Sequence, residues 1–210
     1  IPLANLCDQV IAPSQRVADL LRSRDVETPI AVIPTGIDTE RFANGDGLAF
    51  LRRRGIPEDV PVVGHVGRLA LEKNLEFLSQ AVARFLAQQP DARFLVIGSG
   101  PCEQSFESAC VAAGVKDRLL MAGTCEGQEL IDAYHAMDVF AFASHTETQG
   151  MVVAEAMSAG LPVVALDGPG VREVVVDGQN GRLLMTEDAE EYAAALKSVL
   201  DAMAGNAPMK

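Results

Sequence analysis

The chain has 210 residues, with 29 acidic and 17 basic side chains and a formal charge of −12. That balance excludes nucleic acid as the main ligand, because binding a phosphate backbone needs a cationic face. Hydrophobic residues at 49% against 22% charged describe a folded interior and exclude a disordered tail. The length suits one large domain, or a domain with an appendage. No apolar run is long enough to cross a bilayer, and the first residues lack the pattern of a signal peptide. The chain opens on Ile1-Pro2 without a methionine, so it is expected to be a piece of something longer. Cys7, Cys102, Cys110 and Cys125 show no C-x-x-C spacing and read as reduced, mostly buried thiols of a cytosolic protein.

In chain order, short apolar runs alternate with longer amphipathic stretches. Val10-Ile11-Ala12 is a predicted strand, and Pro13-Ser14 caps a helix to about Arg24 with Val17, Leu20 and Leu21 on one face. Ile30 to Ile33 is a strand stopped by Pro34-Thr35-Gly36, and Gly47 to Gly55 a short helix carrying Arg52-Arg53-Arg54, read as a solvated face. Val62 to Val66 is a strand, Gly67 to Lys73 a loop, and an Asn74 cap opens a helix to about Gln88. Phe94 to Ile97 is a strand closed by Gly98-Ser99-Gly100-Pro101, followed by a helix to about Ala113. A strand near Leu119–Met121, a helix from Gln128 to Met137 and a strand from Val139 to Phe142 come next. The remainder reads as helix Gly150 to Ala159, strand Val163 to Leu166, a glycine-rich stretch from Asp167 to Gly170, strand Gly181 to Met185 and helix Asp188 to Met203.

Strands that are apolar on both faces and spaced by helices mean a parallel sheet covered on each side. The class is therefore α/β, with the functional site expected outside the carboxyl ends of the strands. The first strand, helix and Pro-Thr-Gly turn precede the regular alternation and read as the tail of a preceding domain and its linker.

Several chemistries are struck off. There is no P-loop signature, and Glu103 occupies the third glycine position of a dinucleotide fingerprint starting at Gly98. Ala156-Met157-Ser158-Ala159-Gly160 lacks the first glycine of a nucleophile elbow and lies late in a helix, which makes Ser158 a packing residue. His65, His135 and His145 have no zinc-ligand spacing, and no two aspartates stand two apart, so no metal site is expected. His65 reads as a core or wall residue.

Two segments place polar groups at strand ends. In Gly64 to Asn74, Gly67 follows a strand and allows close approach to the backbone, while Arg68 and Lys73 offer a guanidinium fork and a point-charge ammonium, a pair suited to a diphosphate. In Ser144 to Met157, a loop runs into a helix whose free amides near Gly150, Met151 and Val152 form an anion site. Glu147 precedes that helix and Glu155 lies more than one turn inside it, at opposite ends of a bound ligand. A carboxylate accepts two hydrogen bonds from vicinal hydroxyls, as on a ribose. Gly168-Pro169-Gly170 reads equally as a turn or a pocket wall.

The pair Glu147 and Glu155 resembles the E-x7-E motif of the retaining family-4 glycosyltransferases. Gly67-Arg68 with Lys73-Asn74, Val32 to Asp38, Phe94 to Pro101 and Leu161 to Ala165 are similar to further family segments in the same order. The resemblance implies half of a GT-B fold, in which two Rossmann-like domains face across a cleft. Residues 1–29 would end the N-terminal acceptor domain and linker, and 30–210 would form the C-terminal, Rossmann-like nucleotide-sugar-binding domain. It also implies metal-independent transfer of a hexose with retention, Arg68 and Lys73 neutralising the leaving nucleoside diphosphate and Glu147 touching the donor sugar. Glu155 would hold the ribose, the amides of Gly150 to Val152 the phosphate, and Cys125 and Leu130 the base, with Gly67 and Gln149 in the same donor set. No cofactor is implied beyond the donor substrate.

Most family members have Glu-Gly-Phe-Gly where this chain has Glu147-Thr148-Gln149-Gly150. The Thr-Glu-Thr-Gln-Gly form resembles the diacylglycerol glucosyltransferase branch, which implies UDP-glucose ahead of a GDP-sugar, a lipid or glycan acceptor, and bacterial glycolipid or polysaccharide synthesis. A cytoplasmic place at the inner membrane face follows, with peripheral membrane contact through the missing domain. Two rival readings stand beside it: a nucleotide-sugar-binding fragment inactive without its acceptor domain, and, well behind, a flavodoxin-like module.

Overall fold

The computed structural model describes residues 3–206. Ile1-Pro2 and residues 207–210, the outer ends of the two expected domains, lie outside the described residues. After a 3-10 turn, strand β1 (Val10–Ala12) leads into helix α1 (Gln15–Arg22), where Ser14 Oγ accepts from the Val17 amide at 3.3 Å. Strand β2 (Ile30–Val32) lies parallel to β1, and the two form a separate small sheet. The expected division between residues 29 and 30 therefore runs between two paired strands. Helix α2 (Thr39–Phe42), capped by Asp38, is absent from the sequence-predicted elements because one turn has no apolar period to read. Helix α3 (Gly47–Arg54) is capped by Asp46.

The main body follows: β3 (Val62–Val66), α4 (Leu75–Gln88), β4 (Arg93–Ile97), α5 (Glu103–Ala112), β5 (Leu119–Gly123), α6 (Gly127–His135), β6 (Val139–Phe142), α7 (Met151–Ser158), β7 (Val163–Leu166), β8 (Gly181–Leu184) and α8 (Ala189–Asn206). Its six strands pair in parallel in the order β5-β4-β3-β6-β7-β8. Every residue of β3, β6 and β7 is buried, as strands covered on both faces require. One core layer packs α4, α5 and α8 on the sheet through Phe77, Phe85, Phe106 and Tyr192. The opposite layer packs α3, α6 and α7 through Phe50, Tyr134, Phe140 and Val153. The sheet winds one way from β3 to β5 and the other way from β6 to β8, so the switch point lies between β3 and β6. A crevice opens at the carboxyl ends of those two strands, where open α/β sheets bind ligands.

Two local expectations are corrected. Asn74 holds the N-cap position of α4 as expected, but with φ 54°, directly after a 3-10 turn at Leu71–Lys73, its side chain makes no capping bond. Its amide lies 3.0 Å from His145 Nε2 instead. The three arginines of α3 are not simply solvated. Arg52 pairs with Glu58, Arg53 with Asp132 at 3.2 Å and Arg54 with Glu129 at 2.8 Å, the last two tying α3 to α6. Of the four thiols, Cys102, Cys110 and Cys125 are buried and Cys7 is exposed, and all four are free.

Candidate functional site

The loop after β3 and the loop after β6 meet over the switch point, joined by polar bonds. Lys73 Nζ donates to Glu147 Oε2 at 3.1 Å, with side chains 23% and 13% exposed. Thr146 Oγ1 donates to the Glu72 carbonyl at 3.0 Å, a second tie between the loops. Burial pushes the Glu147 carboxyl up, but the Lys73 ammonium and the amides of Gln149 and Gly150 outweigh it and hold the carboxyl below its ordinary value. Those amides stand 3.4 and 3.2 Å from Glu147 Oε1. The Gly150 N–H is thus engaged by Glu147, which leaves Met151 and Val152 as the first-turn amides of α7 expected to face a ligand.

Arg68 differs from Lys73. Its side chain is 70% exposed and, among the described residues, pairs only with Glu72, four residues on, an exposed ion pair that costs little to break.

Two cavities share the Val66-Gly67-Arg68 corner. The first, about 410 Å³, is lined by His65, Gly67, Arg68, Glu72, Lys73, Thr146 and Val152, among others, two cations against one carboxylate. The second, about 350 Å³, is lined by Gly67, Ser99, Thr124, Cys125 and Leu130, among others. A cationic chamber thereby adjoins a mostly apolar one. The glycines after β4 make this corner possible: a Cβ on Gly98 would collide with the Gly67 carbonyl. The Gly67 and Leu69 amides donate across that contact to the carbonyls of Ile97 and Ser99, at 3.0 Å each.

Gly150 opens α7 at φ 68°, where a Cβ would lie 2.7 Å from the Gly170 carbonyl oxygen. The Gly170 amide in turn donates to the Glu147 carbonyl at 2.9 Å. The Gly168 to Gly170 stretch, open between turn and pocket wall in the sequence, braces the Glu147 loop and lines neither cavity.

The remaining expected residues sit apart from this cluster. Gln149 points its amide away, donating to Thr35 Oγ1 at 2.6 Å and so reaching the segment that follows β2. Glu155 lines neither cavity; it lies between α6 and α7, accepts from the Tyr134 hydroxyl at 2.8 Å, and is half-buried. Burial raises its carboxyl above the ordinary value against the opposing pull of Tyr134 and Arg41. His65 is 1% exposed, and burial holds it neutral with a pKa lowered to about 4. Its Nδ1 bonds the Ala141 carbonyl at 3.0 Å, and Nε2 is the buried side-chain polar atom left without a partner among the described residues. Ser158 bonds the Ala154 carbonyl of its own helix at 2.8 Å, a local contact.

Tyr134, Arg41 and Thr35 escaped the sequence reading. Tyr134 looks like any apolar position of an amphipathic helix, Arg41 lies within a one-turn helix without a motif, and Thr35, although inside the Val32 to Asp38 segment, was read only as part of a turn.

A doubly wound parallel sheet with a crevice at its switch point defines a Rossmann-like α/β domain. The chain belongs to the group 1 glycosyl transferases, whose family model matches residues 49–206, with a Glycosyltransferase Family 4 model matching residues 2–41. It is 37% identical to D-inositol 3-phosphate glycosyltransferase of Geodermatophilus obscurus, over 80% of this chain and 40% of that protein. It is 34% identical to the GDP-mannose-dependent alpha-mannosyltransferase of Mycobacterium tuberculosis, over 90% of this chain and 47% of the relative. The chain thus spans less than half the length of these curated relatives. The crystal structure of Anabaena Alr3699/HepE in complex with UDP and glucose superposes with a TM-score of 0.85 at 26% identity, covering 97% of this chain and 56% of that one. The fold is the Rossmann-like half of a GT-B architecture, as the motifs imply.

Proposed function

We propose that this chain is the donor-binding part of a retaining glycosyltransferase that moves a hexose from a nucleoside diphosphate sugar without a metal. The observation that carries the reading is Lys73, which lines a cavity with Arg68, bonds Glu147 beside it, and faces a second, mostly apolar cavity across the Gly67 corner. In this reading Arg68 and Lys73 hold the diphosphate with the amides of Met151 and Val152. The second cavity takes the base against Cys125 and Leu130, and Glu147 faces the sugar.

The bond from the anomeric carbon to the phosphate oxygen breaks while the acceptor oxygen bonds to the same face. The acceptor's proton passes to the departing phosphate, whose charge the two cations stabilise. No nucleophilic side chain is needed. A UDP-sugar is favoured by the Thr-Glu-Thr-Gln-Gly form of the loop and by the UDP-bound Anabaena structure; the GDP-mannose-dependent relative marks the alternative.

The acceptor, a lipid or a glycan, would be bound by the other half of the GT-B fold, so these 210 residues by themselves bind donor and transfer nothing. We propose the domain division in the segment after Val32 rather than at residue 29, a reading that the pairing of β1 with β2 supports. We place the protein in the cytoplasm, at the inner membrane face when the acceptor is a lipid; four free thiols agree with a reducing compartment. No helix among the described residues is long and apolar enough to cross a membrane. The test is transfer by the complete protein from an α-linked donor in excess EDTA, with the product anomer read by NMR. An α-linked product is expected; a β-linked product, or loss of turnover in EDTA restored by a divalent ion, contradicts the mechanism.

A further inference from the structure

Glu155 is held by a residue that no motif marks. The Tyr134 hydroxyl donates to Glu155 Oε2 at 2.8 Å and lies 3.4 Å from the Val152 carbonyl oxygen. The tyrosine is fully buried. Its ring is met by Phe42, edge-on with centroids 5.8 Å apart, and by Phe140 at 5.9 Å. Packing from two elements therefore fixes where its hydroxyl points, and a buried phenol requires a polar partner.

An ionised carboxylate only accepts, with lone pairs on both oxygens. Tyr134 occupies Oε2, which leaves Oε1 for a ligand. Placement agrees with that use. Leu130, one turn before Tyr134 on α6, lines the apolar cavity, and Val152, one turn before Glu155 on α7, lines the cationic one. Glu155 and its tyrosine partner thus stand one helical turn beyond residues that line the two chambers.

We infer that Tyr134 is a positioning residue for nucleotide recognition: its hydroxyl holds Glu155 in the orientation whose free oxygen accepts from the vicinal ribose hydroxyls. The inference rests on Glu155 as the ribose acceptor. It makes Tyr134 a determinant of ribose against deoxyribose, although the tyrosine itself touches no ligand.

The test is a calorimetric titration of this chain, Tyr134→Phe, Glu155→Gln and the double variant with UDP and 2′-deoxy-UDP, and in parallel with GDP and 2′-deoxy-GDP. The parent is expected to prefer the ribonucleotide about tenfold, the scale of one hydrogen bond to a charged group. Tyr134→Phe keeps the ring volume and is expected to bring that preference to within about twofold, with no further loss in the double variant. Should Tyr134→Phe not fold, Glu155→Asp withdraws the carboxylate from the tyrosine by one methylene and is expected to lose the preference likewise. A Tyr134→Phe or Glu155→Asp protein that keeps the tenfold preference, whatever its overall affinity, overturns the inference while leaving Glu155 as the acceptor. Equal affinity of the parent for ribo- and deoxyribonucleotide overturns the reading of Glu155 itself, and the inference with it.

Discussion

Lys73 and Glu147 lie 74 residues apart in sequence and 3.1 Å apart in space, and their bond ties the loop after β3 to the loop after β6 at the point where the sheet reverses direction. Each serves the other. The ammonium compensates a carboxylate that burial alone would push toward neutrality, and the carboxylate holds the ammonium at the mouth of the cationic cavity. In the proposed function, a diphosphate at that cavity would meet a cation already held in place by Glu147.

Lys73→Met is therefore expected to weaken UDP binding roughly 10- to 100-fold, the cost of removing a charge-assisted contact. It also changes acid stability. Because the folded-state pKa of Glu147 is lowered, its contribution is present above the ordinary glutamate range and is lost as pH falls through the folded value. Without Lys73 that contribution shrinks, so melting temperatures of parent and variant should differ most near neutral pH and converge in strong acid. A constant offset at all pH values would contradict the coupling.

Glu155 has the opposite sign. Its folded pKa is raised by burial, so the ionised form lowers stability, and stability falls as pH rises from the ordinary glutamate value through the folded one. Glu155→Gln keeps an acceptor for Tyr134 and removes the buried charge. It should raise the melting temperature by about 2 °C at pH 7.5 while weakening UDP binding about tenfold, an exchange of function for stability common at binding sites. A variant both less stable and unchanged in UDP affinity would make Glu155 structural.

The fold was legible because each level of the sequence agrees with the next. Val62 to Val66 and Val139 to Phe142 carry unbroken apolar runs because both faces of β3 and β6 are covered, and the strands coincide with those runs. The site was legible where chemistry sits next to a strand end, as for Gly67, Arg68, Lys73 and Glu147. It was illegible where a role depends on what a distant element brings. Nothing in the sequence says that Tyr134 on α6 meets Glu155 on α7, that Gln149 reaches Thr35, or that Glu147 takes up the Gly150 amide. Asn74 was legible as the position that opens α4, but not the left-handed backbone that takes its side chain away from the helix amides.

His65 predicts a second pH effect. Neutral in the folded chain, with a pKa lowered to about 4, it binds a proton more readily once unfolded. Stability is therefore lost as pH falls from about 6.5 toward 4, over the window between the unfolded and folded values. His65→Phe, a ring for a ring among Phe106, Phe140 and Phe142, should flatten the melting temperature across that window. An unchanged slope would mean that other groups control acid unfolding.

Whether this chain carries a nucleoside diphosphate sugar site is decided by a calorimetric titration with UDP-glucose, GDP-mannose, UDP and GDP in EDTA. The uridine ligands are expected to bind ahead of the guanosine ones. A folded chain that binds none of the four would contradict the site built around Lys73 and Glu147.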